Sequence, residues 1–195
     1  MVPSGGRPHL PPVLDLHFVV PGLAVGARFA AEDAPLLARV HGISRVVDVR
    51  VEARDDERVL RTCGIRLLHL PTEDTRAISL ERLRHGVRFV SEGLDRGEGV
   101  LVHCQHGIGR SALLALCVLV DRGLAPLEAM ERAKAARRVV SPSPAQIQAF
   151  LDFAAAVKSE RGTPWPLPSV REVALIAWRH LYEGADATAA STRGS

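Results

Sequence analysis

The chain of 195 residues contains no long uncharged apolar stretch. A membrane-spanning helix needs roughly 20 consecutive apolar residues, whereas the apolar stretch at residues 112–120 is followed at once by Asp121 and Arg122. The first residues are rich in proline and glycine and lack the apolar core of a secretion signal. We therefore expect no contact with a membrane and a cytoplasmic location.

Cysteine is scarce, because only Cys63, Cys104 and Cys117 are present. Three cysteines cannot form a fully paired disulfide framework, and this favours a reducing compartment. Cys117 falls on the apolar face of a predicted helix, where a buried structural thiol is expected. Cys63 is interpreted as structural too, and a redox partnership with Cys104 is the alternative.

Lysine is nearly absent, because Lys134 and Lys158 are the only lysines among 25 basic residues. The net charge of +3 is mild and is carried mainly by arginine, which suits an anionic substrate. The basic residues are scattered among acidic ones, form no stripe and are not interleaved with aromatic residues. This pattern argues against a nucleic-acid partner.

The most informative segment runs from Val100 to Ser111, where an apolar strand leads into a glycine-bearing loop. Cys104 begins this loop, Arg110 ends it, and helical sequence resumes at Ser111. The backbone N–H groups of such a loop, together with a helix N-terminus, can surround a phosphate. The same electrostatic field stabilises a thiolate. The segment therefore predicts an oxyanion site beside an activated cysteine.

Apolar strand-like segments alternate with helical segments along the chain. The predicted strands cover residues 18–26, 45–49, 66–70 and 100–103. The predicted helices cover residues 32–41, 55–63, 79–96, 111–122, 126–137, 145–158 and 169–182. This alternation predicts an α/β fold whose mostly parallel central sheet of about five strands is flanked by helices. In such folds anions bind beyond the carboxyl ends of the strands, where the Cys104 loop lies.

The predicted domain organisation has three parts. Residues 1–14 form a flexible leader, residues 15–158 form the catalytic domain, and residues 159–195 form a C-terminal extension. The extension comprises a proline-rich linker, an extra amphipathic helix and a disordered tail. The extra helix either packs on the flank of its own domain or, through residues 168–183, mediates self-association or contact with a partner.

Covalent phosphoryl transfer needs a nucleophile, an anion clamp and an acid. Cys104 would attack phosphorus as a thiolate with a pKa well below the free value of about 8.5. Arg110 would bind two phosphate oxygens through its planar guanidinium. Asp74 follows a predicted strand and is our candidate for the acid that protonates the leaving oxygen. Glu73 is the competing candidate, and a solvated turn or helix cap is the structural alternative for the pair. Ser111 would donate to the cysteine sulfur, cap the helix, or do both.

The other loop residues are assigned to substrate binding and support. His103 is expected to orient the loop through hydrogen bonds. The residues assigned to substrate contact are Gln105, His106, Gly107, Ile108, Gly109 and Arg110. His103, Cys104 and His106 also look like metal ligands, but no fourth ligand follows at the spacing of a zinc site. We therefore expect neither a metal nor any other cofactor.

The segment at residues 103–111 resembles the His-Cys-x5-Arg-Ser/Thr signature of the protein tyrosine phosphatase superfamily. Segments at residues 22–26, 42–49, 70–75 and 140–144 resemble, in order and spacing, its small dual-specificity branch. The resemblance covers about residues 16–157. An aspartate at the position of Asp74 is the general acid in that branch. Ser143 stands where many relatives carry asparagine, and Gln146 corresponds to a water-positioning glutamine of some relatives.

The resemblance implies metal-independent hydrolysis of phosphomonoesters on tyrosine, serine or threonine. Gln105, His106 and Ile108 occupy loop positions at which inositide-phosphate members carry lysine, so a phosphorylated protein is the favoured substrate and partner. Three alternatives stay open. They are a phosphatase for a non-protein phosphomonoester, a rhodanese-like sulfurtransferase, and a binding module that recognises phosphorylated partners without turnover.

Overall fold

The computed structural model describes residues 13–181, within which five strands form a single sheet. In chain order they are β1 (Leu16–Val20), β2 (Leu23–Gly26), β3 (Ile43–Arg50), β4 (Arg66–Thr72) and β5 (Gly99–His103). Their order in the sheet is β1-β2-β5-β3-β4. Strand β1 is antiparallel to β2, and every other neighbouring pair is parallel. The predicted α/β fold with a mostly parallel sheet is confirmed, and β5 lies at its centre.

Helices connect the strands and cover both faces of the sheet. In chain order they are α1 (Ala34–Arg39), α2 (Glu57–Thr62), α3 (Leu80–Asp95), α4 (Arg110–Asp121), α5 (Pro126–Ala136), α6 (Pro144–Arg161) and α7 (Val170–Ala177). A short 3-10 turn, Ala31–Asp33, precedes α1. Within the described part of the chain, no helix is long and apolar enough to cross a membrane.

Two hydrophobic clusters lie on opposite faces of the sheet, because successive strand residues point to opposite sides. The larger cluster contains Val47 of β3 and all the apolar residues of α4, while the smaller one contains Val46 and packs under α1 and α2. Cys104 and Cys117 belong to the larger cluster, whereas Cys63 packs against the smaller one. The sheet therefore separates Cys63 from Cys104, and this arrangement does not favour a redox partnership between them.

The C-terminal extension packs closely on the domain as far as it is described. Helix α6 continues to Arg161, past the predicted boundary at Lys158. The Lys158 ammonium donates hydrogen bonds to the carbonyls of Thr163 (2.9 Å) and Trp165 (2.7 Å), which hold the proline-rich segment against the end of α6. Two predicted segments lie mainly outside the described residues. They are the leader, of which residues 1–12 are not described, and the tail. The last two residues of the segment predicted for partner contact, 182 and 183, also lie outside.

Candidate active site

The site is built where the central strand β5 ends and helix α4 begins. Strand β5 pairs with β2 on one side and β3 on the other, so that Cys104 leaves the sheet at the edge formed by the carboxyl ends of these strands. Gly107 has a φ of 66°, and a Cβ there would lie 2.5 Å from the backbone of Gly26. A Cβ on Gly109 would lie 2.5 Å from the side chain of Gln146. Glycine is therefore required at position 107 by its backbone conformation and by the approach of the Gly26 backbone, whereas a side chain at position 109 would have to displace the end of the Gln146 side chain.

Cys104 is buried, and its sulfur is surrounded by donors. The Gly107 N–H donates to the sulfur at 3.2 Å, and the Ser111 hydroxyl lies 3.3 Å from it. Burial opposes ionisation, but hydrogen bonds from the side chain and backbone of Ser111 and from the backbone of His106 and Ile108 outweigh it. The pKa of the Cys104 thiol is consequently lowered from its usual value. Cys117 differs, because full burial without such donors raises the pKa of its thiol well above the usual value.

Arg110 is almost fully buried and is held from one side. Its Nη1 and Nη2 atoms donate to the two carboxylate oxygens of Glu52 at 2.7 and 2.8 Å, and Nη1 also donates to the Thr72 carbonyl at 2.9 Å. The Nε atom is buried and has no hydrogen-bond partner among the described residues. A guanidinium has five N–H groups, so the Nε–Nη2 edge still offers two parallel donors. Such an edge matches a pair of phosphate oxygens.

Glu52 was not identified from the sequence. It follows strand β3 at the same edge of the sheet as the loop, and this position is the one signal that could have found it. The hydrogen bond with Arg110 lowers the pKa of Glu52 to about 2. Burial disfavours the charge on Arg110, but Glu52 more than compensates, together with Cys104 and Asp74, so the pKa of Arg110 is raised.

Asp74 lies over the site on an exposed loop. Its Oδ1 atom is 3.2 Å from the Arg110 Nε atom, although the two are not aligned for a hydrogen bond. The neighbouring Glu73 carboxylate instead faces Arg76 at 3.8 Å. Of the two acidic residues, the structure therefore brings Asp74 to the buried arginine.

Helix α6 holds the Asp74 loop through its first turn. The Ser143 hydroxyl donates to the Thr75 carbonyl at 2.6 Å, and the Gln146 side chain donates to the Arg76 carbonyl at 3.2 Å. Thr75 has a φ of 62°, which is uncommon for a residue with a side chain and is maintained by these contacts. Serine at position 143 thus links α6 to the acid-bearing loop directly.

Arg137 supports the loop from behind and was also missed in the sequence analysis. It donates to the carbonyls of Gly107 (2.8 Å) and His106 (2.9 Å), and Asp15 binds it in turn with an Nη2–Oδ2 distance of 2.8 Å. The hydrogen bond with Arg137 lowers the pKa of Asp15 despite its partial burial. No local sequence motif predicts these contacts, because Arg137 lies 30 residues beyond Gly107 in the chain.

His103 turns away from Cys104 toward the smaller cluster. Its Nε2 atom is 2.7 Å from Asp55, and its ring packs beside Phe29 with centroids 5.0 Å apart. Asp48, Asp55 and His103 could together offer ligand atoms to a metal ion. The Arg50 guanidinium already binds Asp48 at 2.9 Å and Asp55 at 2.6 Å, however, so a cation there would meet a positive charge. The cluster is better suited to a buried ion-pair network that orients His103.

An open cavity of about 510 Å³ lies above the cysteine. Of the predicted site residues, it is lined by Asp74, Cys104, His106, Ile108, Gly109 and Arg110. Gln105 is not part of this lining, and its carbonyl accepts a hydrogen bond from the Arg28 N–H at 3.3 Å. Trp178, His180 and Leu181, which follow α7, also line the cavity. No signal in the sequence placed them there.

Comparisons with known proteins agree with this geometry. The family model described as "Dual specificity phosphatase, catalytic domain" matches residues 28–156. Mouse dual specificity protein phosphatase 22 is 31% identical over 103 residues, which is 52% of this chain and 53% of the relative. The chain spans about half the length of several curated relatives that it matches, and less of others.

Solved structures show the same fold. Human DUSP28 superposes with a TM-score of 0.67 at 26% identity, covering 74% of this chain and 99% of that one. The crystal structure of PTPMT1 in complex with PI(5)P superposes with a TM-score of 0.71 at 22% identity, covering 74% and 97%. The segment matched by the family model includes the Cys104 loop, the central strand β5 and its neighbour β3.

Proposed function

The chain belongs to the dual-specificity phosphatase family, whose catalytic-domain model matches residues 28–156, and on that premise we propose that it is a cysteine-dependent phosphatase. The reaction is hydrolysis of a phosphomonoester through a cysteinyl-phosphate intermediate. One observation carries the proposal. A buried thiol with a lowered pKa lies in one cavity with a buried, unsatisfied guanidinium Nε atom and a carboxylate 3.2 Å from it.

In the first step the substrate phosphate binds in the loop. Two of its oxygens accept hydrogen bonds from the Nε–Nη2 edge of Arg110, in place of the Asp74 carboxylate that lies 3.2 Å from Nε. The Cys104 thiolate attacks phosphorus. A P–S bond forms as the P–O bond to the leaving group breaks. Asp74, in its protonated form, gives its proton to the departing oxygen, because an alkoxide or phenoxide is otherwise a poor leaving group.

In the second step the same groups act in reverse. The Asp74 carboxylate removes a proton from a water molecule, whose oxygen attacks phosphorus. The P–S bond breaks and Cys104 leaves as a thiolate, which the Ser111 hydroxyl stabilises from its position 3.3 Å away. Inorganic phosphate is released. Arg110 neutralises the charge of the transferred group in both steps.

The proposed substrate is a phosphorylated tyrosine, serine or threonine of a protein. The cavity-lining loop residues His106 and Ile108 carry no lysine ammonium with which to recognise further phosphates of a polyphosphorylated head group. A lipid phosphomonoester is the second candidate, since PTPMT1, which shares the fold, was crystallised with PI(5)P. We place the protein in the cytoplasm, with residues 15–158 as its catalytic unit and without a nucleic-acid partner or a cofactor.

Hydrolysis of an aryl phosphate in the presence of EDTA tests the proposal. Wild-type protein should release phosphate, and Cys104→Ser should release none above background, because serine is not ionised at neutral pH. Asp74→Asn should lose about 10²–10⁴-fold in kcat for phenyl phosphate and less for nitrophenyl phosphate, whose leaving group needs less protonation. Glu73→Gln is the matched control. An active Cys104→Ser protein, or activity abolished by EDTA, would overturn the mechanism.

A further inference from the structure

The cavity above Cys104 has an apolar wall that comes from outside the segment matched by the family model. The match to the family model ends at residue 156. Trp178 and Leu181 follow helix α7 and line the same cavity as Cys104, Asp74 and Arg110. These residues therefore face whatever group carries the phosphate. They add a surface that the shared catalytic core does not supply.

The end of α7 is fastened to the site by hydrogen bonds. The Trp178 indole N–H donates to the Pro142 carbonyl at 3.1 Å, and the Ser141 hydroxyl donates to the Ala177 carbonyl at 3.1 Å. The Ser141 backbone N–H in turn donates to the carbonyl of Ile108 in the phosphate-binding loop at 2.9 Å. A short chain of contacts thus ties the end of α7 to the loop itself.

A buried lysine strengthens this attachment. The ammonium of Lys134 in α5 donates to the carbonyl of Val140 at 2.8 Å and to that of Ala177, and it lies 2.7 Å from His180 Nδ1. Val173 and Ala177 are buried against the core. The segment that carries Trp178 and Leu181 is therefore a fixed part of the domain surface, so its side chains can contribute to a preformed binding site.

The wall is apolar and exposed. Leu181 is 61% exposed. Ile108 and Val139, which belong to the segment matched by the family model, are exposed apolar residues that line the same cavity beside it. Trp178 adds a half-buried indole beside them. The floor of the cavity, in contrast, carries the thiol and the guanidinium. Such a site has a polar end for the phosphate and an apolar side for the group attached to it.

We propose that Trp178 and Leu181 form a binding wall for an aromatic ring that bears the phosphate, so that the C-terminal segment favours aryl over small alkyl phosphomonoesters. This inference rests on the proposed function, because it takes the loop as the phosphate site. Of the phosphomonoesters of tyrosine, serine and threonine, only that of tyrosine carries its phosphate on a ring. A ring is rigid and can cover apolar surface beside an indole, whereas the single carbon that bears the phosphate of phosphoserine covers very little.

Phosphonates test the wall without any leaving-group chemistry. Phenylphosphonate and methylphosphonate carry the same anionic group and differ in the ring. At a pH at which both are dianions, the ratio of their dissociation constants reports the ring contact. We expect wild-type protein to bind phenylphosphonate about tenfold more tightly, as if roughly 60 Å² of apolar surface were covered. Leu181→Ser should reduce this preference about threefold, and Trp178→Ala should reduce it further.

Leu175→Ser is the matched control, because Leu175 lies on α7, is 55% exposed and does not line the cavity. Methylphosphonate affinity shows whether each variant keeps an intact anion site. Equal binding of the two phosphonates by wild-type protein, or equal effects of the Leu181 and Leu175 substitutions, would overturn the wall. Tighter binding of octylphosphonate than of phenylphosphonate would overturn it too, because the wall would then serve an alkyl chain.

Turnover separates this inference from the proposed function. Calorimetric binding of phosphonates needs no catalysis. A ring preference in a protein that does not hydrolyse phenyl phosphate would support the binding wall and contradict the phosphatase mechanism. Hydrolysis of phenyl phosphate by a protein that shows no ring preference would support the mechanism and contradict the binding wall.

Discussion

Replacing Glu52 by glutamine should lower kcat/KM for an aryl phosphate about tenfold. The carboxylate of Glu52 binds both terminal nitrogens of Arg110, at 2.7 and 2.8 Å, and so turns the Nε edge of the guanidinium toward the cavity. Glutamine keeps the shape and one acceptor but loses the charge. The arginine should then be less firmly fixed in the geometry that binds two phosphate oxygens.

The magnitude follows from the strength of this ion pair. Arg110 lowers the pKa of Glu52 from the usual 4.5 to about 2, which corresponds to at most about 3 kcal/mol of favourable interaction at neutral pH. The Glu52 side chain is 41% exposed, so solvent screening reduces this value to about 1–1.5 kcal/mol. If all of it is lost from the transition state, the rate falls roughly 5- to 15-fold.

Steady-state kinetics and thermal unfolding provide the assay. Glu57→Gln is the control, because Glu57 is 42% exposed and pairs with Arg54 and Arg61 on the surface, away from the cavity. The pKa of Glu52 is lowered in the folded state, so its stabilising effect is present above about pH 4.5 and is lost as the pH falls toward 2. The stability difference between wild type and Glu52→Gln should therefore shrink over that range.

Two results would refute the reasoning. The first is a Glu52→Gln protein with wild-type kcat/KM, since Arg110 would then need no acidic partner to bind phosphate. The second is an equal loss in Glu52→Gln and Glu57→Gln, which would point to a general effect of charge instead of a local one.

Three further outcomes are expected. The pH dependence of the rate at which iodoacetamide alkylates Cys104 should report a pKa below that of an ordinary thiol. Ser111→Ala should raise this pKa, because it removes the hydroxyl beside the sulfur. An identical pH profile in the variant would contradict the role of the hydroxyl. Ser143→Ala should slow hydrolysis of phenyl phosphate about 3- to 10-fold and that of nitrophenyl phosphate less, because it loosens the acid-bearing loop; equal losses would argue against this coupling. Arg137→Met should lower the free energy of unfolding, measured in urea, by about 2–3 kcal/mol, because it leaves loop carbonyls unsatisfied. Asp15→Asn keeps the arginine on those carbonyls, so its effect should be smaller, and equal effects of the two substitutions would contradict this reasoning.

The parts of the site that could be predicted from the sequence are those that local pattern dictates. Cys104 and Arg110 share one loop between a strand and a helix, so their proximity follows from the chain itself. Asp74 could be chosen because parallel strands bring their carboxyl ends to one edge. The fold class followed in the same way from alternating strand and helix patterns.

The missed residues reach the site through long-range packing. Glu52 meets Arg110 across 58 positions of sequence, and Trp178 meets Pro142 across 36. Such contacts depend on how elements dock, which neither periodicity nor spacing encodes. The end of α7 illustrates this. Helical periodicity predicts one helix to residue 182, whereas α7 ends at Ala177 and helical backbone resumes at residues 179–181 after a break at Trp178. Hydrogen bonds from Lys134 and Ser141 take the Ala177 carbonyl at this break.

Helix α4 is enclosed along its whole length from Arg110 to Val120. Its first turn carries Arg110, the proposed phosphate clamp, and its remaining turns form the centre of the larger cluster. A substitution that shifts α4 would therefore disturb both the loop that precedes it and the packing of the larger cluster. The proposed contacts to the substrate ring, at Trp178 and Leu181, and the proposed catalytic groups of the Cys104 loop thus lie on separate pieces of chain. A substitution in the C-terminal segment should change substrate preference without moving the helix that holds the loop.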